Sequence, residues 1–420
     1  DILMRQEEIP MKGCVAFLCL IIAAPVVFGQ TLTMGVDIAS PNAGDGGVFT
    51  TVRTDISLDN PATATGNITS VKVNWSNSGC TNGIKVKFFR RVGDNLTLIN
   101  ERGPFSTSSS VIAMTPPVAV QQGDLIGVAR LANCGNAQTL LGIVAAGYLA
   151  YTGDVTGTVA FSDGARVGSP ISLSGSGTAT ESLAAVLPAV GSVTGTFGSS
   201  FKTSLQLLNP SASVMSGRLV FHHAGVAGSS SDSTYPYTLA AGQELTLPDL
   251  GTAMGVTGLG SLDMIIASGI GKPQIVTRVY NDAGTAGTAG FFEDPITPAD
   301  LNFAGGRIVS MGATAFMLAP VDPVRTRLNI GVRTLFSGAL LNAVLLDNSG
   351  HVLANVTKRY TANYFEQVDA TGFFGGVPVG ASQIIRISVS DGSAIIYGAT
   401  TDNVTNDPSV QYAIVAYAIL

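Results

Sequence analysis

Apolar and polar residues alternate with a period of two along most of this chain, and that pattern limits the fold more than any motif does. In Val71-Lys72-Val73-Asn74-Trp75-Ser76, the residues Val71, Val73 and Trp75 share one face and Lys72, Asn74 and Ser76 the other. Successive side chains leave a strand on opposite sides, so this segment reads as a half-buried strand. Beyond Asn82-Gly83, Ile84, Val86 and Phe88 again face away from Lys85 and Lys87, which predicts a hairpin with matched apolar faces. A second such pair is expected about the turn Gln122-Gly123-Asp124, between Val118-Ala119-Val120 and Leu125-Ile126-Gly127-Val128. Helical periodicity is nearly absent, and short strands punctuated by turns every 8 to 12 residues or so indicate sandwiches or barrels. The expected fold class is all-β.

With 420 residues, 46% of them hydrophobic and 12% charged, the chain is too apolar to stay disordered. Its net charge of −6 is spread without long runs, which argues against nucleic acid as a partner. Three histidines and four cysteines leave few ingredients for metal or acid-base chemistry, and no cofactor is expected. The polar residues 1–10 precede Met11, Lys12 and an apolar run from Val15 to Phe28. That run is short of the 20 or so residues of a membrane span and fits an export signal, with Met11 read as the start and cleavage expected between Gly29 and Gln30; an uncleaved anchor is the alternative. The chain is therefore expected outside the cytoplasm, secreted or at the cell surface, with no membrane span after cleavage. Removal of residues 1–29 leaves Cys80 and Cys134, which should pair in an oxidising compartment.

Between Thr152 and Thr180 glycine, serine and threonine dominate. Ser174-Gly175-Ser176-Gly177-Thr178 reads as linker, and Val155–Phe161 with Ala165–Ile171 as a last hairpin turning at Asp163-Gly164. Downstream, four landmarks recur in order: Leu205 and its neighbours against Leu328, Ser216-Gly217 against Ser337-Gly338, Tyr237-Thr238 against Tyr360-Thr361, and Asn281-Asp282 against Asp402-Asn403. Their nearly constant offset predicts a duplicated fold. Hairpin turns are expected at Asp347-Asn348-Ser349-Gly350 and at Ser390-Asp391-Gly392-Ser393, and short helical turns after Pro248 and Pro298. The expected organisation is 1–29 signal peptide with an upstream extension, 30–180 a jelly-roll-like sandwich with linker, and 181–300 and 301–420 two related sandwiches.

The stretches Leu208-Asn209-Pro210-Ser211, Ser216-Gly217-Arg218-Leu219-Val220-Phe221, Ala241-Gly242-Gln243, Gly258-Leu259-Gly260-Ser261-Leu262 and Arg278-Val279-Tyr280-Asn281-Asp282 resemble uncharacterised secreted bacterial proteins built from tandem immunoglobulin-like β-sandwich modules. The resemblance spans residues 183–420 and implies an extracellular β-rich architecture. It carries no catalytic residues over. Gln121-Gln122-Gly123-Asp124-Leu125-Ile126-Gly127 is similar to turns of jelly-roll modules.

The constellations that would carry chemistry are thin. His222-His223 would point to opposite faces of a strand and cannot easily chelate one ion; one is expected at solvent and the other at a sheet edge. Glu293-Asp294, Glu366 with Asp369, and Asp402 with Asp407 are the local carboxylate pairs that a glycosidase would use, each better read as a solvated loop edge. Thr401–Asp407 gathers oxygen ligands without the spacing of a known calcium loop. Trp75 falls on an apolar face and is expected in the core. Tyr235, Tyr237, Tyr360 and Tyr364 are the candidates for exposed aromatic contact with a ligand. Five Asn-x-Ser/Thr triplets, at Asn67, Asn74, Asn95, Asn355 and Asn403, match the glycosylation acceptor pattern. The expected role is a non-enzymatic structural or adhesion protein with an extracellular glycan or surface protein as partner. A carbohydrate-binding module accessory to a separate hydrolase is the alternative.

Overall fold

The computed structural model describes residues 31–41, 50–76, 79–131, 134–141, 146–268, 271–300 and 306–416; the expected export signal lies outside them. The first part holds β1 (Thr31–Val36), β2 (Arg53–Ser57), β3 (Thr65–Val73), β4 (Ile84–Val92), β5 (Asn95–Phe105), β6 (Val111–Val120), β7 (Leu125–Arg130), β8 (Tyr148–Thr152), β9 (Thr158–Ala160), β10 (Ala165–Val167) and the start of β11 (Leu173–Thr194). β12 (Ser200–Leu208), β13 (Met215–His223), β14 (Ser233–Leu239), β15 (Glu244–Leu247), helix α1 (Leu250–Met254), β16 (Gly258–Ser268), β17 (Gln274–Asp282) and β18 (Thr288–Phe292) follow. The last part holds β19 (Ile308–Ser310), β20 (Thr314–Leu318), β21 (Thr326–Leu346), β22 (Val352–Tyr360), β23 (Phe365–Asp369), helix α2 (Ala370–Phe373), β24 (Ile384–Asp402), β25 (Pro408–Tyr412) and β26 (Ile414–Val415). The fold is all-β, in antiparallel sheets.

In the N-terminal sandwich a four-stranded layer, β1-β11-β3-β6, faces a seven-stranded one, β10-β8-β2-β7-β4-β5-β9. The alternation places its faces as expected: Val71 and Val73 from one layer and Val86, Phe88, Ile126 and Val128 from the other share one buried core. Trp75 packs at its margin. The two expected hairpins do not form. β3 and β4 lie in opposite layers, as do β6 and β7, so each turn is an arch across the core. Matched apolar faces serve a sandwich as well as a hairpin, which is why periodicity alone misassigned the partner.

β9 and β10 were also expected to pair, yet they occupy opposite edges of the seven-stranded layer, joined by Phe161–Gly164. Seven flat strands would set those edges about 29 Å apart, and the connection reaches about 17 Å, so the sheet must curl. The curl encloses a second core of Ile56, Phe89, Leu96, Leu125, Leu149 and Tyr151. It also buries the Lys87 ammonium, which donates to Glu101 Oε2 at 2.6 Å and to the Val155 carbonyl at 2.8 Å.

Ser174–Thr178, expected as linker, is the interior of β11, paired on one side with β1 and on the other with β3. Its glycines answer to crowding rather than flexibility: a Cβ on Gly177 would lie 1.9 Å from the Asn67 carbonyl oxygen. Beyond residue 181 the same strand pairs with β16 in the next sandwich. That sandwich has layers β14-β13-β16-β11 and β15-β12-β17-β18, and the last one has β22-β21-β24-β20 and β23-β21-β24-β25. Strand order is the same in both. The register agrees too, since Leu205 stands opposite Thr277 and Leu328 opposite Thr400, while Tyr237 faces Gly217 and Tyr360 faces Ala339. That places Gly217 at the position of Ala339 rather than Gly338, one residue out of the expected match, and Asn281-Asp282 and Asp402-Asn403 sit two residues out.

The copies differ where strands cross between layers. β12 and β13 are separate, whereas β21 runs through both layers, and β24 does likewise. Ser390–Ser393, expected as a hairpin turn, is therefore strand interior. Gly338 and Gly392 take φ of 72° and 70°, and a Cβ on Gly392 would lie 2.0 Å from the Gly338 carbonyl oxygen, so the bend needs glycine in both strands. The Asp347–Gly350 turn does close a hairpin. Short helical turns follow Pro248 and begin at Pro298, the first capped by the Asp249 carboxylate on the Thr252 amide.

Cys80 and Cys134 form a disulfide with Cα atoms 5.5 Å apart. It ties the loop before β4 to the segment after β7. Replacing either cysteine with serine should lower unfolding stability by about 2 to 4 kcal/mol, read as a lower denaturant midpoint that a reducing agent reproduces in the parent chain.

Candidate functional site

The sequence-derived tyrosines do not form one platform. Tyr235 and Tyr237 point into the core of the middle sandwich. Tyr237 is 5% exposed and donates to the Ile265 carbonyl, and burial pushes its phenol up to about 12. Their expected role as exposed contacts is thus corrected. Tyr360 is likewise buried in the last core, with Tyr364 packed beside it, ring centroids 5.6 Å apart and planes tilted by 35°. These two line a depression of about 360 Å³ with Lys358, Arg359, Thr361 and Glu366. Tyr360 donates to Glu366 Oε1 at 2.5 Å, and burial, reinforced by that carboxylate, raises its phenol well above the ordinary range. Lys358 lies over the Phe373 ring, and Arg359 stands 3.6 Å from Asp391, which Arg91 of β4 also engages. The depression thus offers one half-buried aromatic ring edged by two cations and a carboxylate.

The carboxylate pairs are not brought together as catalytic pairs. Glu366 bonds Tyr360, while Asp369 caps α2 through the Gly372 amide. Asp402 accepts the amides of Val404 and Thr405 and the Arg325 guanidinium, so its oxygens shape a turn. Among the described residues, no group of three or more His, Cys, Asp or Glu side chains is arranged to hold a metal.

A buried polar cluster lies between the second and third sandwiches. His222 is buried on β13, an interior strand, rather than at a sheet edge. Its Nδ1 meets Asp232 at 2.5 Å and its Nε2 meets Asp263 at 3.0 Å. His223 is exposed on the other face. Asp263 also takes two hydrogen bonds, 2.9 and 2.8 Å, from Arg333 of β21, a fully buried guanidinium. Burial by itself would raise Asp263, but the Arg333 charge and the His222 ring hold its carboxyl down at about 2. Sequence inspection passed over this pair, although Asp263 is a lone charge in its strand and Arg333 a charge between apolar residues, in Leu262-Asp263-Met264 and Gly331-Val332-Arg333-Thr334-Leu335.

Glu293, expected on a solvated loop edge, is 2% exposed in the same junction. Its Oε1 is held by the Ala189 amide and the Tyr412 hydroxyl, both at 3.1 Å, and burial pushes its carboxyl up to about 8. Ala189, Phe365 and Tyr397 cluster beside Tyr412, and Leu183, Val186, Ile296, Ile308, Leu335 and Ile395 form an apolar seam.

No known family, curated protein or solved structure matches this chain.

Two outcomes follow from the junction. Arg333→Ala strands a buried carboxylate and should cost about 3 to 5 kcal/mol, measured by denaturant unfolding at neutral pH. Glu293 has a folded pKa above its unfolded value, so the stability it contributes is complete below that unfolded value, near 4.5, and is lost as pH rises to about 8. Glu293→Gln should therefore unfold like the parent at about pH 4 and be more stable by up to a few kcal/mol at about pH 8.5. Thermal melts across that range check the crossover.

Proposed function

We propose that the chain is a secreted, non-enzymatic structural or adhesion protein, a jelly-roll-like sandwich followed by two immunoglobulin-like ones, that acts as one stiff body outside the cytoplasm. The observation that carries this reading is the joining of the sandwiches. One strand, β11, is hydrogen-bonded into two of them, and a buried Asp263–Arg333 pair joins the second to the third. Binding modules that move independently have no use for such junctions, whereas a spacer that must hold its ends in fixed relation does. The disulfide fits an oxidising location.

The depression at Tyr364 favours a second reading, a carbohydrate-binding protein accessory to a separate hydrolase. A sugar ring could stack on Tyr364 while Glu366 and Arg359 bond its hydroxyls. A glycan and extracellular-matrix binding screen on the chain from Gln30 onward separates the two. If the depression holds sugar, Tyr364→Ala should weaken glycan binding about two- to tenfold, the worth of one aromatic contact. If the role is adhesion to protein, the substitution should leave matrix binding unchanged. Turnover of a polysaccharide, peptide or ester, abolished by one serine or carboxylate substitution, would overturn the non-enzymatic reading.

A further inference from the structure

The two C-terminal sandwiches share a strand order but not the treatment of one edge. In the middle sandwich the edge strand β14 carries Pro236 at its centre, opposite Arg218. Proline has no N–H to give, so it is tolerated where that group would face away from the ladder, and it blocks addition of a further strand. The equivalent position in the last sandwich is Arg359 of β22. β22 also ends its layer, and among the described residues it is the longest edge strand without a proline. β6 carries Pro116 and Pro117, β9 and β10 have three residues each, and β15 has four. From Ala354 to Tyr360 β22 follows β21 without a register shift, so its free edge presents a regular row of backbone donors and acceptors. The face beside it is open as well: Leu353, Asn355, Thr357 and Arg359 are exposed, and Val352 is 60% exposed.

We infer that β22 is an interaction edge, and that its occupant is the β22 of a second copy, added antiparallel about a twofold axis normal to the sheet. An antiparallel pair of identical strands lets one set of groups satisfy itself. The charges favour that arrangement. With the axis at Val356 or at Thr357, Arg359 meets Leu353 or Asn355 of the other copy and Lys358 meets Ala354 or Val356, so no cations oppose each other. A parallel pairing in register would set Lys358 against Lys358 and Arg359 against Arg359, which is destabilising. The result is a continuous sheet across two chains, with the apolar ends of the strands covered.

Sedimentation velocity on the purified chain over a range of concentrations tests this. The parent should show a reversible monomer–dimer equilibrium. The double variant Asn355→Lys/Thr357→Lys places like charges opposite each other for either axis and should weaken the dimer at least tenfold. The variant Asn355→Glu/Thr357→Glu should do the same alone with the axis at Val356, where the carboxylate introduced at 355 would meet the one at 357. With the axis at Thr357, pairing of the carboxylate at 355 with Arg359 would offset the contact between the two at 357, so this variant tells the two axes apart. An equimolar mixture of the two should recover association, which misfolding of either would not allow. Arg359→Pro, which copies the edge of β14, should also give monomer, with an unchanged melt showing that the fold survives. A parent that stays monomeric at the highest soluble concentration, association that is indifferent to these substitutions, or an edge that takes up only peptides of other sequence would overturn the inference. None of these readouts involves glycan or matrix binding, so the proposed function can fail without it, and the reverse.

Discussion

The backbone of β11 is the common reference for the first two sandwiches. Its hydrogen bonds to β1 and β3 fix one layer of the first, and its bonds to β16 fix one layer of the second. A strand has one twist and alternates its faces at every residue, so residues 173–194 determine which way both cores open. A slip of one residue in the first half would turn Leu173 out of its core. If carried through, it would also exchange the buried and junction-facing residues of the second half. The two glycines of residues 174–178 fit a strand crowded on both sides: a Cβ on Gly177 would lie 1.9 Å from the Asn67 carbonyl oxygen of β3, and one on Gly175 would lie 3.0 Å from the Met34 side chain of β1.

The junction between the second and third sandwiches answers to a different constraint. Two outer sheet faces meet there, and an outer face ordinarily carries polar side chains for water. When water is excluded, each buried polar group needs a partner. Asp263 receives Nη2 of Arg333 across both its oxygens and the His222 ring, and Glu293 receives a backbone amide and a tyrosine hydroxyl. Such groups hold two faces in a single orientation, since an apolar seam can slide where directional hydrogen bonds to buried groups cannot.

Much of this was readable from residues alone. Alternation located the strands and the faces of Val71, Val86 and Phe88, export logic selected Cys80 and Cys134, and the landmark offset found the equivalence of Leu205 with Leu328. What stayed hidden was always a matter of partner. The face of a strand is written in its own sequence, but the strand beside it is not, so arches were taken for hairpins and an interior strand for a linker. Tyr237 and Tyr360 failed for a related reason: on a strand paired with a glycine or alanine, the ring folds inward over the small residue and fills the core. Asp263, Arg333 and Glu293 were legible only as charges out of place, and their meaning depends on which face comes to lie against them.

The continuity of β11 has a mechanical consequence. A pull that separates the first sandwich from the second runs along the axis of a single covalent strand. The bonds to β1, β3 and β16 lie across that axis, so many of them share the load and must yield together. A flexible tether would simply extend. Here tension meets a shear geometry, and the joint between the first two sandwiches has no slack to take up before the sheets themselves begin to give.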